Sequence, residues 1–392
     1  MTIIKDRLYA IAAQNRMPLS CALELSPICN FKCRMCYVRK SPEETRKEGG
    51  LLPLEFWLQV VEQLRDAGMI FPLLTGGEPL LYPDFWPLYE TICRMGMHVS
   101  INSNASLVDE NAVERFLKNP PERINITLYG GSNESYARLC GAPHGFDQVS
   151  RAVRLLHQHG IRFRFNCSLT PDNCADVEAM LAFAREYDQG VRFATYMFPP
   201  VRRTGQCGDY EARFTPQQAA YYHVWTDWLQ SPPEQFYLLA SHMQHYRELT
   251  DELIAEAAGG APGAMRCQAG LTCGWVDWKG FLSACGIFTH IAVSLLEHSF
   301  TDAWQQVTSW AKEPHYSAVC ANCVNAGVCY CCPAKVYNET GSFVGRPTYI
   351  CEMRKYEKQY YAEFLQRLGP SSLQEKSTKV EKKPDFSCEM EI

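Results

Sequence analysis

The sequence holds 392 residues, enough for two or three domains and a sizeable core. Hydrophobic residues make up 46%, charged residues 21% and aromatic residues 12%, which excludes collagen-like, low-complexity and wholly disordered chains. A formal net charge of −5 lacks the phosphate-neutralising excess of a nucleic-acid binder, and no apolar run approaches the ~20 residues of a spanning helix, so neither nucleic acid nor a membrane is an expected partner.

In chain order, residues 1–18 form a lead in which Lys5, Asp6, Arg7 and Arg16 interrupt short apolar runs. That order is not the basic, apolar, small-residue order of an export signal, and a cytoplasmic location is expected. Residues 19–200 then alternate two periodicities. Apolar, partly β-branched runs at 19–25, 70–74, 97–101, 124–128, 161–169 and 191–198 predict six strands. Helix-period segments at 54–67, 84–95, 109–117, 146–159 and 175–187 lie between them. Strand and helix in alternation imply parallel β/α units with right-handed crossovers. Six such units predict an α/β fold, a partial (β/α)6 barrel, with its chemistry on the loops after the strand C-termini. After Pro199 and Pro200, residues 201–262 open with Gly205 and Gly208 and continue as an aromatic-rich helical bridge. Over residues 263–368 the helical signal fades while cysteines accumulate, which predicts a small domain organised by metal. The tail at 369–392 is polar, charged and poor in core formers, the composition of disorder.

Cysteine is the compositional outlier, at 19 residues. In a reducing compartment such thiols are better read as metal ligands than as disulfides. The first set, Cys29, Cys33 and Cys36 in CNFKCRMC, follows the first predicted strand directly. A 4Fe–4S cube needs one ligand per iron, so three cysteines leave one iron open to bind something else. The alternatives are a zinc site short of one ligand, or buried thiols.

With TGGEP at Thr75–Pro79 after the second predicted strand, this loop resembles that of the radical S-adenosylmethionine (SAM) enzymes. The resemblance implies that the open iron chelates the amino and carboxylate groups of SAM. One electron from the cluster then cleaves the sulfonium to a 5′-deoxyadenosyl radical, which takes a hydrogen from the substrate. Gly76 and Gly77 would admit close backbone approach to the cofactor, and Glu78 would accept near its amino or sulfonium group. By the same resemblance Ser103 and Asn104 in INSNASL face the ribose side, although Asn and Ser also build plain turns. Thr127 and Arg138, in the segment TLYGGSNESYARLCG, bind the cofactor carboxylate, and Leu169 packs on the adenine unless it is simply core. Met35, where the family often has an aromatic residue, contacts adenine partly through its backbone.

The second constellation comprises Cys267, Cys273 and Cys285, then Cys320, Cys323, Cys329, Cys331 and Cys332 in CANCVNAGVCYCCPA, and Cys351. It resembles the SPASM extension of peptide- and protein-modifying radical SAM enzymes, whose full form holds two auxiliary 4Fe–4S clusters. The resemblance implies one cluster on Cys267, Cys273, Cys285 and Cys332, and another on Cys320, Cys323, Cys329 and Cys351. Three clusters and SAM are thus the implied cofactors. The family spacing leaves Cys331 and Cys332 in competition for one place, with Pro333 and Ala334 favouring Cys332. A pair of zinc ribbons is the alternative for this region. Of the remaining cysteines, Cys21, Cys93, Cys140, Cys167 and Cys174 read mostly as small buried apolar residues, while Cys207 and Cys388 lie in polar contexts.

The family implication is hydrogen abstraction from a peptide or protein side chain, giving a thioether, a carbon–carbon cross-link or a related maturation, with a flavodoxin or ferredoxin as electron donor. Only 28 residues precede Cys29, fewer than a winged-helix leader-recognition domain needs, so a peptide is expected to bind elsewhere or to arrive with a recognition protein. Arg202 and Arg203, after the sixth predicted strand, could hold an acidic peptide or the cofactor carboxylate, or simply form a solvated turn. The aromatic stretch 221–230 is expected to be core. A sulfatase-maturing dehydrogenase would share these motifs. A multi-cluster electron carrier would need neither the open iron nor GGE, and a zinc-stabilised binding protein is the remaining class. No catalytic base is assigned.

Overall fold

The computed structural model describes residues 2–264, 267–313 and 315–367. The tail expected to be disordered lies outside the described residues. Six strands appear where apolar runs predict them: β1 (Ser20–Glu24), β2 (Phe71–Thr75), β3 (Ser100–Ser103), β4 (Arg123–Thr127), β5 (Phe163–Ser168) and β6 (Val191–Ala194). They pair in parallel in the order β6-β5-β4-β3-β2-β1. The fold is α/β, and these six parallel strands form the core of the expected partial barrel. Helices Leu54–Asp66, Phe85–Arg94, Glu110–Lys118, Gly145–Gln158 and Val177–Arg185 supply the crossovers. The first shows why: Phe56, Trp57, Val60, Val61 and Leu64 fall on one buried stripe. Because every β1–β6 strand runs the same way, Glu24, Thr75, Ser103, Thr127 and Ser168 all end at one edge, and the cysteine loop emerges there.

The free edge of β1 is the main departure from expectation. It pairs in parallel with β7 (Cys273–Val276), from Ser20 opposite Cys273 to Leu23 opposite Val276. Strands β8 (Phe281–Ser283) and β9 (Val293–Ser294) continue antiparallel, giving one nine-stranded sheet. The cysteine-rich region is therefore built onto the barrel's own sheet, and the buried core around it runs from Cys21 to Met353.

The helical signal also does not end where the cysteines begin. Helices Phe300–Ala311, Pro333–Thr340 and Thr348–Leu365 lie in or beyond the region where it was expected to fade. The last packs on bridge helices Pro216–Gln230 and Pro233–Gln244 through Val224, Phe236, Ala240, Tyr361 and Phe364. Tyr221, in the aromatic stretch, contacts Tyr360 and Phe364, so that stretch serves packing as expected. A further helix, Thr2–Asn15, precedes β1. No helix among the described residues is long and apolar enough to cross a membrane.

Candidate active site

The loop leaving β1 is laid against the chain leaving β2. Leu25 N–H donates to Thr75 O (2.9 Å), Gly77 N–H to Ser26 O (2.7 Å) and Glu78 N–H to Ile28 O (2.9 Å). This close apposition explains both glycines. Gly76 has φ +149°, and a Cβ there would lie 2.4 Å from Ser26 O; at Gly77 it would lie 2.5 Å from Ile28 O. What these glycines visibly admit is the chain's own Ser26–Ile28 backbone, the stem of the cysteine loop.

On that stem stand the three thiols. Phe31 N–H points to Cys29 Sγ (3.4 Å) and Arg39 N–H to Cys36 Sγ (3.3 Å). Asn104 Nδ2 lies 3.7 Å from Cys29 Sγ. Burial pushes the Cys29 thiol up to about 12 and raises Cys36 as well. Cys33 is instead lowered, chiefly by a hydrogen bond from Cys140, with a second from Tyr129. Arg39, whose charge also favours the Cys33 thiolate, has a buried Nε with no hydrogen-bond partner. Thiols supplied with N–H, S–H and O–H donors and an orphaned guanidinium nitrogen fit an anionic thiolate-ligated group. Among the described residues no three His, Cys, Asp or Glu side chains converge as a single metal ion requires. A four-iron cube takes each thiolate on a different iron and does not ask for that convergence.

Glu78 is fully buried, which pushes its carboxyl up to about 7. Both its oxygens are engaged by the chain. Oε1 accepts from Leu80 N–H (3.2 Å) and Ser103 Oγ (2.8 Å), and Oε2 from Asn104 N–H (2.8 Å). Glu78 thus ties the end of β3 to the GGE turn. Asn104 in turn reaches the cysteine loop through Asn30 Oδ1 (2.9 Å), while its own Oδ1 accepts from Ser106 N–H (2.9 Å). The turn places Ala105 at φ +61°, a left-handed conformation costing a non-glycine residue about 1 kcal/mol, held by Ser103 Oγ. The turn expected of Asn and Ser is present and contacts the thiol loop.

The other residues carried over from the resemblance divide. Thr127 ends β4 at the same edge, half-buried. Leu169 is wholly buried, and its N–H bonds Ala194 O (2.9 Å), joining β5 to β6. Met35 is buried. Arg138 is exposed; its Nε donates to Asp172 O (2.7 Å) and Nη2 to Ser135 Oγ (3.1 Å). Asp172 also takes both contacts from Arg34 in the cysteine loop, at 2.9 and 3.1 Å. The β5 exit loop thereby clamps the thiol loop from outside.

Arg202 departs most from expectation. It is neither solvated nor open to a ligand: its guanidinium grips Glu24, at the end of β1, through two bonds of 2.9 Å. It also donates to Gly286 O (3.0 Å) and stacks over the Tyr37 ring. Trp275 Nε1 bonds the same carboxylate (3.1 Å). A carboxylate with no exposed surface in a central strand needs that compensation. Arg203 is exposed and joins Tyr210 on Arg34 O, at 3.4 and 2.7 Å. Beside Tyr210 a cavity of about 680 Å³ opens, lined also by Arg213, Phe214 and Tyr349.

In the C-terminal region, Cys323 is in electrostatic reach of Cys320 and Cys329, and Cys351 of the same two. Tyr246 faces Cys351, Cys329 and Cys323 together. These four thiols are the set implied for one auxiliary cluster. Arg346 hydrogen-bonds Cys351, and its buried Nε has no partner, a second orphan beside a thiol set. Cys285, pushed up to about 11 by burial, neighbours Cys332, while Cys331 is hydrogen-bonded to Cys320. The two adjacent cysteines therefore face different sets. Cys273 accepts from Ser20 Oγ (3.0 Å) across the β1–β7 pair.

Residues 23–184 match the family model described as the radical SAM superfamily, and that span carries both the thiol loop and the GGE turn. Over those residues the chain is similar to the radical SAM superfamily. The chain is 21% identical over 348 residues to an AdoMet-dependent heme synthase of Methanosarcina barkeri, a match spanning 86% of this chain and 97% of that protein. It is 28% identical over 182 residues to the antilisterial bacteriocin subtilosin biosynthesis protein AlbA of Bacillus subtilis, spanning 46% of this chain and 39% of AlbA. It is 24% identical over 329 residues to the mycofactocin maturase MftC of Mycobacterium tuberculosis, spanning 82% and 80%. Among solved structures, Streptococcus suis SuiB bound to its precursor peptide SuiA shares the fold with a TM-score of 0.63 at 16% identity, over 89% of this chain and 80% of SuiB.

Several residues that shape the radical SAM site carry no motif signal. Tyr129, Cys140, Asp172 and Glu24 lie on four separate elements and meet the thiol loop or its flank only once the sheet is assembled. One clue was available: YARLC puts Tyr136 and Cys140 four apart, on one side of a helix turn.

Proposed function

We propose that this enzyme abstracts hydrogen from a side chain of a ribosomally made peptide or protein and so installs a thioether, a carbon–carbon cross-link or a related modification. The observation that carries this reading is the match to the mycofactocin maturase, which extends over 82% of the chain. A fold shared with a precursor-peptide complex supports it. When bound, a 4Fe–4S cluster with one open iron supplies the coordination site for SAM and the electron for its cleavage.

In this reading Cys29, Cys33 and Cys36 hold that cluster. Gly76, Gly77 and Glu78 hold the β2 exit against the loop's stem. Ser103 and Asn104, fixed by Glu78, present the polar edge for the ribose, with Thr127 and Arg138 toward the carboxylate and Met35 and Leu169 toward the adenine. Arg138 then has to share its guanidinium between Asp172 and the cofactor. Cys267, Cys273, Cys285 and Cys332 hold one auxiliary cluster, and Cys320, Cys323, Cys329 and Cys351 the other. The domains divide as 19–200 for the barrel, 201–262 for the bridge and 263–368 for the auxiliary region. A flavodoxin or ferredoxin donates electrons, and a peptide-recognition protein assists substrate capture. A sulfatase-maturing type of side-chain dehydrogenase would use the same residues.

The test is 5′-deoxyadenosine release with SAM and reductant, free of oxygen, in the presence of precursor peptides encoded near the gene. Release stimulated by a peptide that loses two hydrogens by mass supports the reading. Release stimulated only by a haem precursor would replace it with a second reading, a SAM-dependent step in haem synthesis, which the near full-length match to the heme synthase favours.

A further inference from the structure

The charges near the exit of β6 are the reverse of those its two arginines suggest. Arg202 is committed to Glu24, and Arg203 turns to Arg34 O. The cavity of about 680 Å³ beside Tyr210 is walled by the turn from Thr204 to Pro216. Its cationic lining residue, Arg213, is fully engaged. Nη1 donates to Glu339 Oε1 (2.6 Å) and Nη2 to Glu339 Oε2 (3.1 Å) and Gly208 O (3.1 Å), while the guanidinium stacks over the Tyr349 ring. With side chains 4% and 5% exposed, this pair cancels its charges inside the wall. Asp209 and Glu211 line the same cavity and are exposed, and among the described residues no cation pairs with either. The same wall touches both thiol regions. Tyr210 donates to Arg34 O (2.7 Å), between Cys33 and Cys36, and Gly208 N–H donates to Asn338 O (2.7 Å), on the helix Pro333–Thr340 that begins directly after Cys332.

Two uncompensated carboxylates beside the apolar surfaces of Pro200, Phe214 and Pro216 fit a side chain with a hydrocarbon stem and a cationic head. The stem covers the apolar wall while the head stays among the carboxylates. An anionic ligand would meet like charge there, and an apolar one would desolvate both carboxylates without giving them a partner. The volume lies within the range of ligand pockets and leaves room for the peptide backbone on either side of such a residue. We propose that this cavity holds a lysine or arginine side chain of the peptide substrate, with its charge toward Asp209 and Glu211, and so selects which stretch of the peptide is presented to the first thiol loop. The inference rests on the peptide reading above and names the substrate's chemistry: a peptide basic beside the residue that is modified. The step is binding alone, and no bond forms or breaks in it.

The experiment measures binding apart from turnover, by isothermal titration of the full-length reconstituted protein without SAM or reductant. The probes are capped Gly–Ser nonapeptides whose central residue is Lys, Arg, norleucine or Glu. Lys and Arg probes should bind about fivefold more tightly than norleucine, the scale of two solvent-exposed charge contacts, and Glu should bind most weakly. In D209N/E211Q the advantage over norleucine should vanish. In E62Q/E114Q, which removes the same charge from exposed positions on helices Leu54–Asp66 and Glu110–Lys118, it should persist. Equal binding of the Lys and norleucine probes, no binding of any probe at millimolar concentration, an advantage that survives D209N/E211Q, or one that is lost in E62Q/E114Q overturns the inference. Lys binding that depends on Asp209 and Glu211, in a protein whose 5′-deoxyadenosine release no peptide stimulates, overturns the peptide reading instead and leaves the cavity's preference for a cation standing.

Discussion

The thiols of the first site sit within one loop between Cys29 and Cys36, whereas those of the second are gathered from residues 267–351 by a strand pair, two short helices and the start of the final helix. Two thiols of the first set take donors local in sequence, the backbone N–H groups of Phe31 on Cys29 and of Arg39 on Cys36. The second depends on tertiary neighbours: Ser20 on Cys273, Tyr246 over Cys351, Arg346 beside Cys320 and Cys351. A site set by local spacing is readable as a motif and tolerates sequence drift around it. A site set by topology fails with the fold that gathers it. The two are joined by Glu24, Arg202, Tyr37 and Trp275, which lie between the Cys36 loop and Cys285.

The sharpest way to separate the regions is to remove one thiol set. Replacing Cys29, Cys33 and Cys36 together by Ala should reduce 5′-deoxyadenosine formation to the background of a protein-free control, read by chromatography. Activity surviving that change would place SAM cleavage elsewhere. Within the second region, Cys332→Ala should cost about four irons per chain, one cluster's content, while Cys331→Ala should cost none. The reverse pattern would exchange their places.

The joint between the regions predicts a stability effect. Arg202→Met leaves Glu24 buried and unpaired and should destabilise by about 3–5 kcal/mol in anaerobic denaturant unfolding. Adding Glu24→Gln should recover much of it, because the uncompensated charge is then gone; no recovery would mean that Arg202 acts by packing alone. Gly76→Ala should cost about 1–3 kcal/mol, since its Cβ meets Ser26 O and cannot relax without moving the loop stem. The smallest effect is expected at Arg34→Ala. Its partner Asp172 is reached from a side chain half in solvent, and the pair should contribute under about 1 kcal/mol.

Much of the barrel was legible because parallel strands covered on both faces read as apolar runs, and the crossover helices carry clear stripes such as Phe56 to Leu64. The thiol loop was legible for the same reason of locality. What the sequence hid was partnership at a distance. Arg202 looks like a solvated turn residue because Glu24 lies 178 positions away, inside a strand where a charged residue gives no hint of its partner. Strands β7–β9, of two to four residues, are too short to show a period. In Thr348–Leu365 the apolar side chains are interleaved with Glu and Lys, so its buried face emerges only against Pro216–Gln230. Cys140 reads as a small core residue, and its place beside Cys33 comes from the Lys32 and Arg34 N–H groups, which donate to the Cys140 and Leu139 carbonyls.

The measurement closest to the central claim is iron per chain after oxygen-free reconstitution, for the unaltered protein and for the Cys29, Cys33 and Cys36 to Ala variant. One open cluster and two closed ones require about 12 irons falling to about 8. Iron near zero with zinc bound in stoichiometric amount would contradict the account and make the cysteines structural.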